Sequence, residues 1–221
     1  ARQIGKTWLI RDEIEKSKYA KFEINFIDQP DMVTYLNAQM SAEEFLIKLR
    51  MIMPEDCKEH ETIVFFDEVQ KCPEIVTKIK FLVDEGSFKY VLSGSLLGVE
   101  IKGIASAPVG YLSVLKMYPM DFEEWLWAIG LKDEIFQTLR QSFEQETPVP
   151  ESLHDTMSNY LLQYAVVGGM PEAVNTFVQT HNMQMVLDVQ RGIVDGYRSD
   201  MIKYASKEDK ARIRACFDSI P

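Results

Sequence analysis

The sequence predicts an α/β sandwich built on a parallel sheet, followed by an all-helical subdomain beginning near Asp121. In the first half, short β-branched or aromatic runs alternate with amphipathic helical patterns, the signature of βαβ units. From Asp121 onward the β signal disappears and helical spacing takes over. With 221 residues, 46% apolar and 26% charged, the chain can bury a sizeable core as one large domain or a domain with a helical appendage. The division falls at residues 1–120 and 121–221.

The predicted strands are Lys21–Ile27, Thr62–Phe66, Tyr90–Leu92 and Tyr111–Met117. Between the first two, Ser41 and Glu44 form a capping box ahead of Phe45, Leu46, Leu49 and Ile52, which share one helical face. After the second, Pro73 suits a first helical turn. Ile75, Val76, Ile79, Leu82 and Val83 make its buried stripe, and Gly86 stops it. In the second half Asp121 caps a helix whose Phe122, Trp125, Leu126 and Ile129 face inward, with Gly130 as its end and Trp127 off the stripe. Further helices are predicted over Lys132–Glu146, Ser152–Val167, Pro171–Thr180 and Met183–Tyr204, with Thr147–Pro150 as a linker and Gly168-Gly169 as a break.

Composition excludes several classes. No apolar run is long enough to cross a bilayer and no signal peptide opens the sequence, so a cytoplasmic protein is the expectation. Cys57, Cys72 and Cys216 form no CxxC pair, and His60, His154 and His181 are scattered, which suggests reduced structural thiols and no metal cage. A net charge of −10 opposes broad attraction to nucleic acid. The cation-rich stretch from Arg198 through Lys203, Lys207, Lys210, Arg212 and Arg214 is broken by Asp200, Glu208 and Asp209, as on a solvated helical face.

Three short segments carry chemistry. Gly5-Lys6-Thr7 precedes a helical pattern, so the glycine sits where a loop enters a helix N-terminus. There backbone N–H groups and the helix dipole favour an anion, Lys6 reaches outer phosphates, and the Thr7 hydroxyl can ligate magnesium. In a GxxxxGKT pattern the first glycine would fall just before Ala1, and a bare GKT also arises by chance at helix starts. The second segment is the apolar run Ile63-Val64-Phe65-Phe66, which ends directly in Asp67-Glu68. A carboxylate at the C-terminal end of a parallel strand lies where ligands bind, so Asp67 can hold magnesium opposite Thr7 and Glu68 can polarise the attacking water. An acidic turn alone would be ordinary, but with an upstream GKT the functional reading is the stronger. The third is Ser93-Gly94-Ser95. Ser95 or Ser93 would sense the γ-phosphate, and a plain strand-ending turn explains the segment nearly as well.

These segments, running from Ala1-Arg2-Gln3-Ile4-Gly5-Lys6-Thr7 through Phe66-Asp67-Glu68-Val69-Gln70-Lys71 and Leu92-Ser93-Gly94-Ser95 to Tyr118-Pro119-Met120-Asp121-Phe122-Glu123-Glu124, resemble the prokaryotic AAA-type ATPases with a DUF4143 C-terminal region. Val167-Gly168-Gly169-Met170-Pro171-Glu172-Ala173-Val174 is similar to that family's helical lid. The resemblance implies an ASCE-type P-loop three-layer sandwich with Walker A and Walker B motifs. It also implies ATP with magnesium, Glu68, Lys6 and Ser95 as catalytic residues, and a nucleotide cradle of Arg2, Gln3, Ile4, Gly5, Lys6, Thr7 and Trp8. Thr7 and Asp67 are the implied metal ligands. The resemblance further implies a strand before the loop and, past Pro221, a winged-helix and nuclease-like effector region, so that this chain is expected to be a truncated ATPase module less stable than a longer one.

No NKxD-type guanine signature occurs, which with the resemblance favours ATP over GTP. No arginine occurs between Arg50 and Arg140. Either Arg140, Arg191 or Arg198 approaches the nucleotide from the lid or a neighbour, or hydrolysis is slow, and slow switch-like hydrolysis is the expectation. The alternative is an interaction module, nucleotide-binding or nucleotide-independent, that assembles a protein partner or a homo-oligomer without significant hydrolysis.

Overall fold

A computed structural model of the chain describes residues 3–36, 40–94, 110–204 and 210–219, with the backbone alone for 200–204. The chain separates into two compact units, Ala1–Met117 and Tyr118–Pro221.

The first unit holds a parallel three-stranded sheet of β1 (Ala20–Asn25), β2 (Thr62–Asp67) and β3 (Lys89–Leu92), in that order. Asn25 lies level with Asp67, and Phe66 with Leu92, so the C-terminal ends of all three strands meet at one edge. The central strand β2 is buried at nearly every position, as expected for a parallel strand covered on both faces. Helix α1 (Lys6–Lys16) precedes β1, and the short α2 (Pro30–Tyr35) follows it with Pro30 in its first turn. The sequence predicts no element there.

Helix α3 (Ala42–Ile52) carries the predicted capping box: Glu44 N donates to Ser41 Oγ, and Ser41 N donates to Glu44 Oε2. Helix α4 (Glu74–Glu85) starts after Pro73 and stops at Gly86, whose φ of 82° is the left-handed conformation that glycine adopts without strain. Phe45, Leu46 and Leu49 of α3 and Ile75, Val76, Ile79 and Leu82 of α4 pack with Ile24, Val64 and Phe66 into one core. Val83 departs from the predicted stripe. It is 41% exposed, because its neighbour Leu82 already occupies the inward direction of that turn.

Four strand boundaries and one strand differ from the sequence expectation, with β1 and β3 each beginning one residue earlier, at Ala20 and Lys89. Strand β1 ends at Asn25 and not Ile27, because Asn25 Oδ1 accepts from Ile27 N (2.9 Å) and Asp28 N (3.1 Å), an Asx turn that draws those amides out of the ladder. Strand β2 extends one residue further, to Asp67. The predicted strand Tyr111–Met117 is irregular. Its β-propensity finds no neighbouring strand among the described residues, and Val114 and Leu115 face solvent. Only its start is anchored among the described residues, with Leu112 against the core and the Tyr111 ring under the Lys80 ammonium.

Among its described residues the elements of the second unit are all helices: α5 (Phe122–Ala128), α6 (Asp133–Glu144), α7 (Glu151–Val167), α8 (Pro171–Thr180), α9 (Met183–Tyr204) and α10 (Lys210–Asp218). Asp121 and Glu124 form a reciprocal capping box at the start of α5. Trp125 is fully buried, ringed by Phe122, Tyr160, Tyr164 and Phe177, while Trp127 stays half exposed against Phe136. The loop before α5 is clamped: Met120 N donates to Gly169 O (2.7 Å) and Tyr164 Oη donates to Met120 O (2.9 Å). No helix of the described residues is long and apolar enough to cross a membrane.

Candidate functional site

The site lies at the C-terminal edge of the sheet in the first unit. Gly5, with φ 82°, turns the chain into α1, and Leu9 N donates back to Gly5 O (2.9 Å) to begin the helical ladder. The first-turn N–H groups of Gly5, Lys6, Thr7 and Trp8 have no carbonyl earlier in the helix to reach, so they point outward at its positive end. Ile4, 1% exposed, plugs the residue before the bend into the protein, while Gln3 and Trp8 are exposed on either side. Helix α1 is tied to the sheet by Arg11, whose Nε and Nη2 donate to the Glu23 carboxylate on β1. Those hydrogen bonds hold the Arg11 guanidinium above its ordinary pKa.

This anchoring sets Thr7 over the end of β2. Thr7 Oγ1 donates to Asp67 Oδ2 at 2.9 Å, joining positions 60 residues apart. Asp67 is 1% exposed and takes two further donors, Asn25 Nδ2 on Oδ2 (3.2 Å) and Glu68 N on Oδ1 (3.0 Å). A buried acidic group demands such partners, since an uncompensated one would be expensive. Its backbone is fixed as well, because Phe26 N donates to Asp67 O (3.2 Å).

Glu68 follows with φ 54° and ψ 42°, a left-handed conformation unusual for a side chain of this kind. Its carboxylate Oε2 accepts from Gln70 Nε2. The short 3₁₀ turn Val69–Lys71 is locked to the third strand: Ser93 N donates to Phe66 O, and Val69 N donates to Ser93 O, both at 2.9 Å. Ser93 is buried.

The structure therefore brings together Thr7, Asp67 and Glu68 and places Gly5 and Lys6 at the helix end beside them. Arg2 and Ser95 lie outside the described residues. Sequence reasoning missed Asn25 and Gln70. A polar residue ending an apolar strand, as in Ile24-Asn25, was the available signal for the first; for the second only its nearness to Glu68 was visible. Arg140 pairs with Glu123, Arg191 with Asp188 (3.3 Å), and Arg198 with Asp195 (3.2 Å) and Asp218 (3.1 Å), all within the second unit.

A glycine bend feeding a helix, a parallel sheet with an acidic pair at its edge, and a separate helical unit define an α/β protein of the P-loop type. A family model described as an AAA domain matches residues 1–126 of the 221, and the chain belongs to that family. Its class of function is nucleotide binding. A second model, a domain of unknown function (DUF8612), matches residues 158–221, and this is the region found where the sequence resemblance had named DUF4143. No curated protein matches the chain.

Proposed function

We propose that the first unit binds ATP with magnesium between the Gly5 bend and Asp67-Glu68, and hydrolyses it slowly as a switch. The observation that carries this reading is the Thr7 to Asp67 hydrogen bond, which joins the two motifs that a nucleotide would need side by side. The Thr7 hydroxyl gives its one proton to Asp67, so its lone pairs turn away from that carboxylate and suit a cation. Hydroxyl and carboxylate are hard oxygen donors, the set that magnesium takes in ones and twos while phosphates and water complete its shell. Among the described residues no group of three or more His, Cys, Asp and Glu gathers as an all-protein cage would require. When bound, magnesium supplies charge neutralisation on the outer phosphates.

The remaining roles follow from the chain's own groups. The first-turn N–H groups of α1 and the Lys6 ammonium bind phosphate oxygens. Glu68 accepts the proton of the attacking water. Arg2, Gln3, Ile4 and Trp8 complete the cradle, and Ser95 senses the γ-phosphate, by the order of the motifs alone. Slow turnover is supported by the sequence alone, in which no arginine occurs between Arg50 and Arg140. The switch output is a change in the helical unit that an effector reads.

Full-length protein is expected to release phosphate from ATP. Glu68→Gln should retain nucleotide and lose about 10²–10⁴-fold in turnover, as removal of a general base does. Lys6→Ala should lose binding. Equal turnover in Glu68→Gln would remove Glu68 as the base, and tight binding without any phosphate release would favour the interaction module.

A further inference from the structure

We infer that Gln70 is a positioning residue for Glu68: its side-chain amide fixes the carboxylate that the proposed hydrolysis uses as base. This rests on that reading of Glu68. Gln70 Nε2 donates to Glu68 Oε2 across a single intervening residue. A glutamate carboxyl otherwise rotates broadly about its last torsion. With an amide N–H on Oε2, that rotation is restricted and Oε1 is held in one direction.

Gln70 can do this because it cannot itself wander. Gln70 is 8% exposed, and the 3₁₀ turn that carries it is pinned on both sides. Val69 is fully buried and bonded to the end of β3, and Lys71 N donates to Glu68 O at 3.0 Å. Glu68 itself sits in a left-handed conformation, which persists only where the surroundings over-determine it. The strained backbone aims the Glu68 side chain, and the amide fixes its last bond. A neutral amide suits the task, since it orients an acceptor without neutralising it as a lysine or arginine would.

The test is steady-state ATP hydrolysis and nucleotide affinity measured on full-length wild type, Glu68→Gln, Gln70→Met and Gln70→His. Methionine matches glutamine in length and fills a buried slot without offering a donor. Gln70→Met is expected to lower kcat about 10–100-fold, the scale of a misplaced catalytic group, with affinity for ATP and magnesium unchanged. Gln70→His, which keeps an N–H donor, should recover part of the rate. Should the methionine variant fail to fold, Gln70→Leu removes the donor with a neutral side chain of similar volume and must lose rate likewise. Wild-type kcat in Gln70→Met, a raised kcat, or equal losses in the methionine and histidine variants would overturn the inference while Glu68→Gln stays inactive. Turnover retained in Glu68→Gln would instead strike the reading of Glu68 itself.

Discussion

Asp67 is the residue on which the site turns, because Thr7, Asn25 and the Glu68 backbone all donate to one buried carboxyl group. Each donor comes from a different stretch of chain: α1, β1 and the turn after β2. A displaced strand would thus leave a buried acceptor unsatisfied, at about 1–3 kcal/mol. Another buried group sits beneath this edge. Cys72 is fully buried, and burial pushes its thiol from 9.0 up to about 11. The folded state favours the neutral thiol, so this contribution to stability is fully present below pH 9.0 and is lost as pH rises through about 11. Iodoacetamide at neutral pH is expected to label exposed Cys216 and to spare Cys72 until the protein unfolds. Equal labelling rates in the native state would contradict that placement. At this scale Thr7 and Asp67 were legible, since glycine before a helix and acid after an apolar strand are local signals. Asn25 and Gln70 were not, because their roles arise from strand register and from a turn whose hydrogen bonds reach β3.

Elements were legible where their signals are local. The capping box of Ser41 with Glu44 stands where the residue types placed it, and Asp121 caps α5 as expected, with Glu124 closing a second box that the structure adds. The run Tyr111–Met117 fails as a strand because pairing, and not propensity, makes a strand, and pairing is a property of neighbours. The predicted break at Gly168-Gly169 holds two glycines that serve different ends. Gly168, with φ 71°, turns the chain out of α7. Gly169 lies against the clamped loop, and a Cβ there would stand 1.9 Å from Met120 O. Gly169→Ala must therefore push Met120 aside and disturb both bonds of the clamp. A loss of about 2 kcal/mol or more is expected, read as a lower denaturation midpoint. An unchanged midpoint would mean that the loop before α5 yields freely.

Over the whole molecule, the two units have separate cores, one around β2 and one around Trp125. The nucleotide chemistry proposed here is confined to the first, and the arginines nearest to a catalytic role by sequence are held by carboxylates in the second. Alanine at Arg140, Arg191 and Arg198 together should leave basal turnover within about 3-fold, whereas loss of a working arginine finger lowers it by 10³ or more. A fall of that size would show that one of them reaches the phosphates. In the proposed function Thr7 and Asp67 share one cation with a nucleotide. Calorimetric titration of full-length protein with ATP, with and without magnesium, tests it most directly. Saturable binding that magnesium strengthens is predicted in the wild type, with that strengthening reduced about 10–100-fold in Thr7→Val, the worth of one bond to a charged partner. No heat from ATP with magnesium, or an undiminished magnesium effect in Thr7→Val, would contradict it.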